Sequence, residues 1–100
     1  MEDIITQLKA LPFTLEVEQD TDGVFIQPSE FPQEFEEEAT FDDTLKAVAK
    51  GLKGWGNVIA ADFDRWSISH KSEVPYLLKI LVSSEQELLE CLRKSKSVNI

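Results

Sequence analysis

The sequence predicts an α+β domain in which an antiparallel sheet of about five or six strands carries two or three helices packed on it. Three observations lead to this fold class. Residues 13–18 alternate apolar and polar side chains, the apolar residues of 41–52 form one helical stripe, and Ser84 opens a second capped helix. A length of 100 residues is typical of one domain, so we expect residues 1–100 to fold as a single unit.

The first third of the chain predicts a helix followed by a hairpin. Apolar residues at helical spacing predict a short helix over residues 2–10, which Pro12 ends. The alternating segment that follows predicts a β-hairpin over residues 13–27 that turns at Asp22-Gly23. Residues 34–38 add a third strand, and their charges suit the edge of a sheet.

A longer helix is predicted over residues 40–53. Thr40 is a suitable N-cap, and Asp42 and Asp43 occupy the first turn, where the helix dipole favours negative charge. Gly54 is expected to end this helix. Its apolar stripe consists of Phe41, Leu45, Val48, Ala49 and Leu52.

The remaining residues, 56–100, are predicted to be rich in strands and to end in a helix. Short runs of apolar or alternating residues predict strands over 57–61, 66–70 and 76–82. Ser84 and Glu87 form a capping box that opens the C-terminal helix, and residues 95–100 are expected to fray.

Composition points to a compact protein of the cytoplasm. There is no apolar run of about 18 residues that could cross a membrane. The N-terminal residues are acidic, whereas a secretory signal would be basic. Cys91, the single cysteine, cannot form an internal disulfide or a cysteine-based zinc site, and we expect it to fill space in the core.

Charge is distributed unevenly along the chain. Residues 1–45 hold 13 acidic residues and one basic residue, whereas residues 46–100 hold six acidic and nine basic residues. The net charge of −9 disfavours nucleic acid or an anionic membrane as a direct ligand. The segment 30–43 has seven acidic residues and no basic one, so it would either attract a basic protein surface or serve as a solubilising face.

Five segments between residues 13 and 55 form a pattern. Two strands (13–18 and 24–26) flank an acidic turn (20–23), and a Pro-x-x-x-Pro stretch (28–32) and a capped helix start (40–47) follow them. In these segments the chain resembles the HicB-like antitoxin family, whose domain is a partial ribonuclease H fold. Gln33 and Ala39 stand where the family has glycine. The resemblance implies a small protein that binds and neutralises a basic, RNA-cleaving toxin. Residues 56–100 do not match the family's DNA-binding segment, so direct DNA binding is not implied.

Charge and resemblance together suggest a non-enzymatic module, antitoxin- or inhibitor-like, that covers a basic surface of a protein partner. In this hypothesis acidic side chains steer the encounter and aromatic side chains supply most of the binding energy. A nucleic-acid mimic that blocks a DNA- or RNA-binding protein is an alternative, and a homodimer is left open. The predicted partner-binding residues are Glu30, Glu34, Glu36, Glu37, Glu38, Asp42 and Asp43, with Phe31, Phe35 and Trp55 as apolar anchors. For Trp55, filling of the core is the alternative role.

A small metal-dependent hydrolase is the competing hypothesis. If residues 57–64 formed a strand, Asp62 and Asp64 would share one face and could bind Mg²⁺ together. His70 has no second histidine to share a metal, and neither Ser67 nor Ser69 lies in a nucleophile motif. We therefore predict no catalytic residue, no metal site and no cofactor.

Overall fold

The computed structural model describes residues 3–100, and Glu2, where the first predicted helix begins, lies outside them. Its elements in chain order are α1 (Ile4–Lys9), β1 (Thr14–Gln19), β2 (Val24–Pro28), β3 (Glu36–Glu38), α2 (Phe41–Ala60), α3 (Phe63–Ser69), a 3-10 turn (Lys71–Glu73), α4 (Val74–Val82), α5 (Glu85–Arg93) and β4 (Lys96–Asn99).

The strands form one sheet in the order β3-β2-β1-β4. The β1–β2 and β2–β3 pairs are antiparallel and β1–β4 is parallel, so the α+β class is confirmed, whereas the predicted antiparallel sheet of five or six strands is wrong.

The hairpin forms where the sequence predicted it. Asp20 organises the turn, because its Oδ1 accepts hydrogen bonds from the backbone N–H groups of Asp22 at 2.8 Å and Gly23 at 3.1 Å. A β-carbon at Gly23 would lie 2.6 Å from the carbonyl oxygen of Glu38, so this position has no room for a side chain. The turn and the third strand are therefore packed directly together.

Helix α2 begins as predicted and ends later. The Thr40 side chain accepts a hydrogen bond from the Asp43 N–H at 3.1 Å, which caps the first turn. The predicted end at Gly54 is wrong, because the helix continues to Ala60. Gly56 allows α4 to approach closely, since a β-carbon there would lie 2.8 Å from Cγ2 of Ile80. Gly56 therefore serves packing, and neither Gly54 nor Gly56 terminates the helix.

The second half of the chain, predicted from sequence to be rich in strands, is helical up to Arg93. Residues 57–60 are the last turn of α2, residues 66–69 belong to α3, and residues 76–82 belong to α4. The apolar run of α4 buries Leu77 and Ile80, which lie three residues apart and therefore on one helical face. Pro75 is in the first turn, where a missing N–H costs nothing. The expectation of a frayed C-terminus is also wrong, because β4 pairs with β1.

The core lies between the helices and one face of the sheet. Its buried side chains include alternate residues of β1 and β2, together with Leu45, Val48, Ala49 and Leu52 of the predicted α2 stripe. The assignment of Phe41 to that stripe is wrong, because this residue of the first helical turn is 41% exposed. Lys79 is buried as well, with its Nζ donating a hydrogen bond to the carbonyl oxygen of Lys9. None of the described helices combines the length and the apolar character needed to cross a membrane.

Candidate protein-binding surface

Strand β3 distributes its three glutamates over both faces of the sheet. Glu36 pairs with the buried Ile26, and Glu37 pairs with Phe25. Directly paired residues point to the same face. Glu36 and Glu38 therefore lie on the side covered by the helices, and Glu37 lies on the open side. The acidic stretch predicted as one patch is divided between two surfaces.

An aromatic pair lies on the open side of the sheet. The ring centroids of Phe25 and Phe35 are 5.9 Å apart, and Phe35 is 55% exposed. Phe25 is paired with Glu37 on one side and with Glu18 on the other. We call these four residues the open-face patch. It places an exposed aromatic side chain beside two carboxylates.

A second surface lies between β3 and helix α2, on the helix-covered side of the sheet. It is an open groove of ≈ 490 Å³, which we call the helix-side groove. Trp55 forms part of its wall and is 42% exposed. Sequence reasoning missed Gly51 and Val58, because the predicted helix stopped before Val58 and no local motif singles out Gly51. The lining residues are Glu34, Glu36, Gly51, Gly54, Trp55 and Val58.

Glu34 differs from Glu36, the other acidic residue that lines the groove, because its side chain is buried and the residue is only 3% exposed. Its carboxyl group lies against Gly51, and its Oε2 has no hydrogen-bond partner. Burial, followed by hydrogen bonding and charge repulsion from Glu36, raises the pKa of Glu34 to about 8. Glu34 is therefore mostly neutral at pH 7.

Three of the predicted binding residues have structural roles. Phe31 is 0% exposed and belongs to the core, so it cannot serve as a surface anchor, contrary to the sequence prediction. Glu30 accepts a hydrogen bond from the Thr14 N–H at 2.7 Å and so holds the start of β1. Asp42 accepts two hydrogen bonds from Arg93, at 3.1 and 3.2 Å, and this ion pair lowers the pKa of Asp42.

Glu38 and Asp43 line a different cleft. This cleft has a volume of ≈ 500 Å³ and also contains Lys46, Lys50 and Glu85. The lysines offset part of the negative charge, so this region is less acidic than the sequence suggests. The helix-side groove and the open-face patch, in contrast, include no lysine or arginine among their members.

The arrangement proposed for a hydrolase is not present. Asp62 precedes α3 and Asp64 lies in its first turn, so the two carboxylates do not share a strand face. The Ser67 hydroxyl donates to the Asp64 carbonyl at 3.2 Å, and Nδ1 of His70 lies 2.9 Å from the Trp66 carbonyl. Within residues 3–100, no group of three or more His, Cys, Asp or Glu side chains is placed to hold a metal ion.

Comparison with known proteins shows a shared fold. No protein-family model and no curated protein matches the sequence. A solved structure does match: the crystal structure of an antitoxin part of a candidate toxin/antitoxin system from Syntrophomonas wolfei subsp. wolfei superimposes with a TM-score of 0.81. The match covers 97% of this chain and 70% of that chain at 17% sequence identity, so this chain has the fold of that antitoxin.

Proposed function

We propose that this protein is an antitoxin-like, non-enzymatic module, related to the HicB-like antitoxins, that covers a basic surface of a toxin partner. One observation carries the proposal. Phe35 and Trp55 are exposed on the two sides of β3, and each lies in a surface that also contains glutamate and no basic residue. The fold shared with an antitoxin structure supports the same class of function.

The two surfaces suit a protein partner in different ways. Large exposed aromatic side chains are the residues that most often anchor protein interfaces. The surrounding carboxylates would attract a basic surface and speed the encounter. We therefore assign binding to Glu36 and Glu37 as charged residues and to Phe35 and Trp55 as anchors.

Charge also narrows the choice of partner. A second copy of this chain carries the same net charge of −9, so overall electrostatic repulsion opposes its association with these carboxylates. A nucleic-acid mimic would need carboxylates in a row on one face, whereas β3 sends its glutamates to two faces. A basic toxin, including one that cleaves RNA, fits the surface better than either.

The proposal is tested by asking whether this chain neutralises the protein encoded by the adjacent reading frame. Expressed alone, this product should arrest growth, and coexpression of the present chain should restore it. Changing Glu36→Gln and Glu37→Gln together should slow association with this product roughly three- to tenfold at low salt, with a smaller effect at high salt.

The matched control changes Asp62→Asn and Asp64→Asn, which removes the same charge from a region distant in sequence from β3. This control should associate as fast as the wild type. Failure of the chain to restore growth would contradict the proposed function. If the two double variants slow association equally, the association rate depends only on net charge and not on the position of the carboxylates.

A further inference from the structure

The helix-side groove combines three chemical features in one place. Two carboxyl groups, those of Glu34 and Glu36, lie beside the partly exposed ring of Trp55. Its six lining residues, all within the described part of the chain, include no basic side chain. The groove therefore presents acceptors and an aromatic surface without a cation of its own.

Glu34 supplies the observation that points to a ligand. Its side chain is 97% buried, yet Oε2 lacks a hydrogen-bond donor. Buried polar atoms are nearly always paired, because an unpaired one costs about 1–3 kcal/mol. A donor that enters the groove would remove this cost once the Glu34 carboxyl group turns from Gly51 towards the groove.

We propose that the helix-side groove accepts an arginine side chain of the protein partner, whose guanidinium donates to Glu36 and Glu34 and stacks on Trp55. This inference rests on the proposed function, because it assigns the chemistry by which the same partner would be held.

Arginine fits the groove better than other donors for geometric reasons. A guanidinium is flat, carries five N–H donors in one plane, and can contact carboxylates at its edge while its face lies on an aromatic ring. Gly51 and Gly54 add no side chain to the wall formed by α2, where Trp55 and Val58 are the residues that do. At Gly54 a β-carbon would meet nothing within 4 Å, so the groove is open at that point.

Binding of a cation should be linked to the proton on Glu34. Its pKa of about 8 leaves it mostly protonated at pH 7, and an arriving guanidinium favours the ionised form. Glu36 is the charged group that acts on Glu34 from β3. On α2, Lys53 is engaged elsewhere, since its Nζ donates to the carbonyl oxygens of Ile80 and Ser83, and Lys50 lines the other cleft. Affinity for arginine should therefore rise as the pH increases from 6 to 9.

The experiment titrates the ¹⁵N-labelled full chain with acetyl-arginine amide and follows the NMR signals of the Trp55 indole N–H and the Gly54 amide. A saturable shift with a dissociation constant of about 1–10 mM is expected, which is typical of one side chain acting alone. The neutral analogue acetyl-citrulline amide should give no saturable shift. A similar response to citrulline, or shifts that do not saturate, would overturn the inference.

Two variants locate the effect. Trp55→Ala and Glu36→Gln should each weaken arginine binding at least fivefold, whereas the control Phe35→Ala, on the open side of the sheet, should leave it unchanged. Binding of acetyl-lysine amide as tight as that of the arginine probe would overturn the assignment to arginine.

The growth test separates this inference from the proposed function. If the Trp55→Ala/Glu36→Gln variant neutralises the toxin as well as the wild type, the groove is not the binding site, and the function stands through the open-face patch. If the wild-type chain fails to neutralise while the probe still binds, the groove binds arginine but the proposed function fails.

Discussion

The carboxyl group of Glu34 lies directly on the backbone of helix α2 at Gly51. A β-carbon at position 51 would collide with both carboxyl oxygens and with the carboxyl carbon. One turn later, at Gly54, a β-carbon would meet no atom within 4 Å. Gly51 is thus the residue that allows a carboxyl group to be buried here, and Gly54 provides a matched position on the same helix.

Substitution of these two glycines should have different effects on Glu34. Gly51→Ala should push the carboxyl group towards solvent, because it is the mobile end of a flexible side chain. The pKa of Glu34, measured by ¹³C NMR of the carboxyl carbon, should then fall from about 8 towards its ordinary value. Gly54→Ala should leave that pKa unchanged and stabilise the helix by up to about 1 kcal/mol. A Gly51→Ala protein in which Glu34 still titrates near pH 8 would contradict this packing.

Glu34→Gln should make stability less dependent on pH. The folded pKa of Glu34, about 8, exceeds the ordinary value of 4.5, so the unfolded chain loses this proton first as the pH rises. The contribution of this group to stability is complete below pH 4.5 and declines up to about pH 8, by at most about 1.4 kcal/mol per pH unit. Glutamine mimics the protonated form and cannot ionise. The variant should match the wild type near pH 4 and exceed its free energy of unfolding at pH 8.

Urea denaturation at several pH values measures this difference. The control is Glu37→Gln, which removes an exposed carboxylate of the same strand region. Its stability should follow the wild-type pH dependence. Parallel curves for Glu34→Gln and the wild type between pH 5 and 8 would mean that Glu34 is already ionised in the folded protein.

The first half of the fold could be predicted because its signals are local. The Asp20–Gly23 turn and the Thr40 cap depend on side chains that bond to backbone a few residues away. The second half could not be predicted in this way. The run from Tyr76 to Val82 is apolar enough for either a buried strand or a buried helix, and contact with α2 decides between them.

The candidate binding surface, too, could be predicted from the sequence only in part. Sequence reasoning named Phe35, Trp55 and the glutamates of β3, because aromatic residues and charge runs can be read from the sequence, whereas the burial of Phe31 could not. It treated residues 34–38 as one patch, however, because the division into two faces depends on the pairing of β3 with β2. It also counted Asp42 as available, since the partner Arg93 lies 51 residues away in the chain.

Shortening the buried leucine side chains of α2 should lower the stability of the fold. Leu45 and Leu52 are fully buried between the helix and the sheet, so Leu45→Ala or Leu52→Ala should lower the free energy of unfolding by roughly 2–4 kcal/mol. Lys50→Ala, on the exposed side of the same helix, should change it by less than about 0.5 kcal/mol. Thermal or urea denaturation checks both values. A small effect at Leu52 would mean that α2 does not pack on the sheet as described.

The C-terminal strand should contribute to stability although its side chains are exposed. Strand β4 covers the edge of β1 through parallel pairing from Thr14–Lys96 to Val17–Asn99, and the Ile100 N–H donates to the Val17 carbonyl at 3.0 Å. A chain ending at Ser95 loses this ladder, and because each hydrogen bond has a net value of about 0.5–1.5 kcal/mol, the loss of several should lower the free energy of unfolding by at least about 1 kcal/mol. It also exposes β1 as a new edge, so aggregation should increase. Removal of Ile100 alone should have a much smaller effect, and light scattering with urea denaturation distinguishes the two. If the chain ending at Ser95 is as stable and as soluble as the full chain, residues 96–100 are frayed in solution, as their sequence alone had suggested.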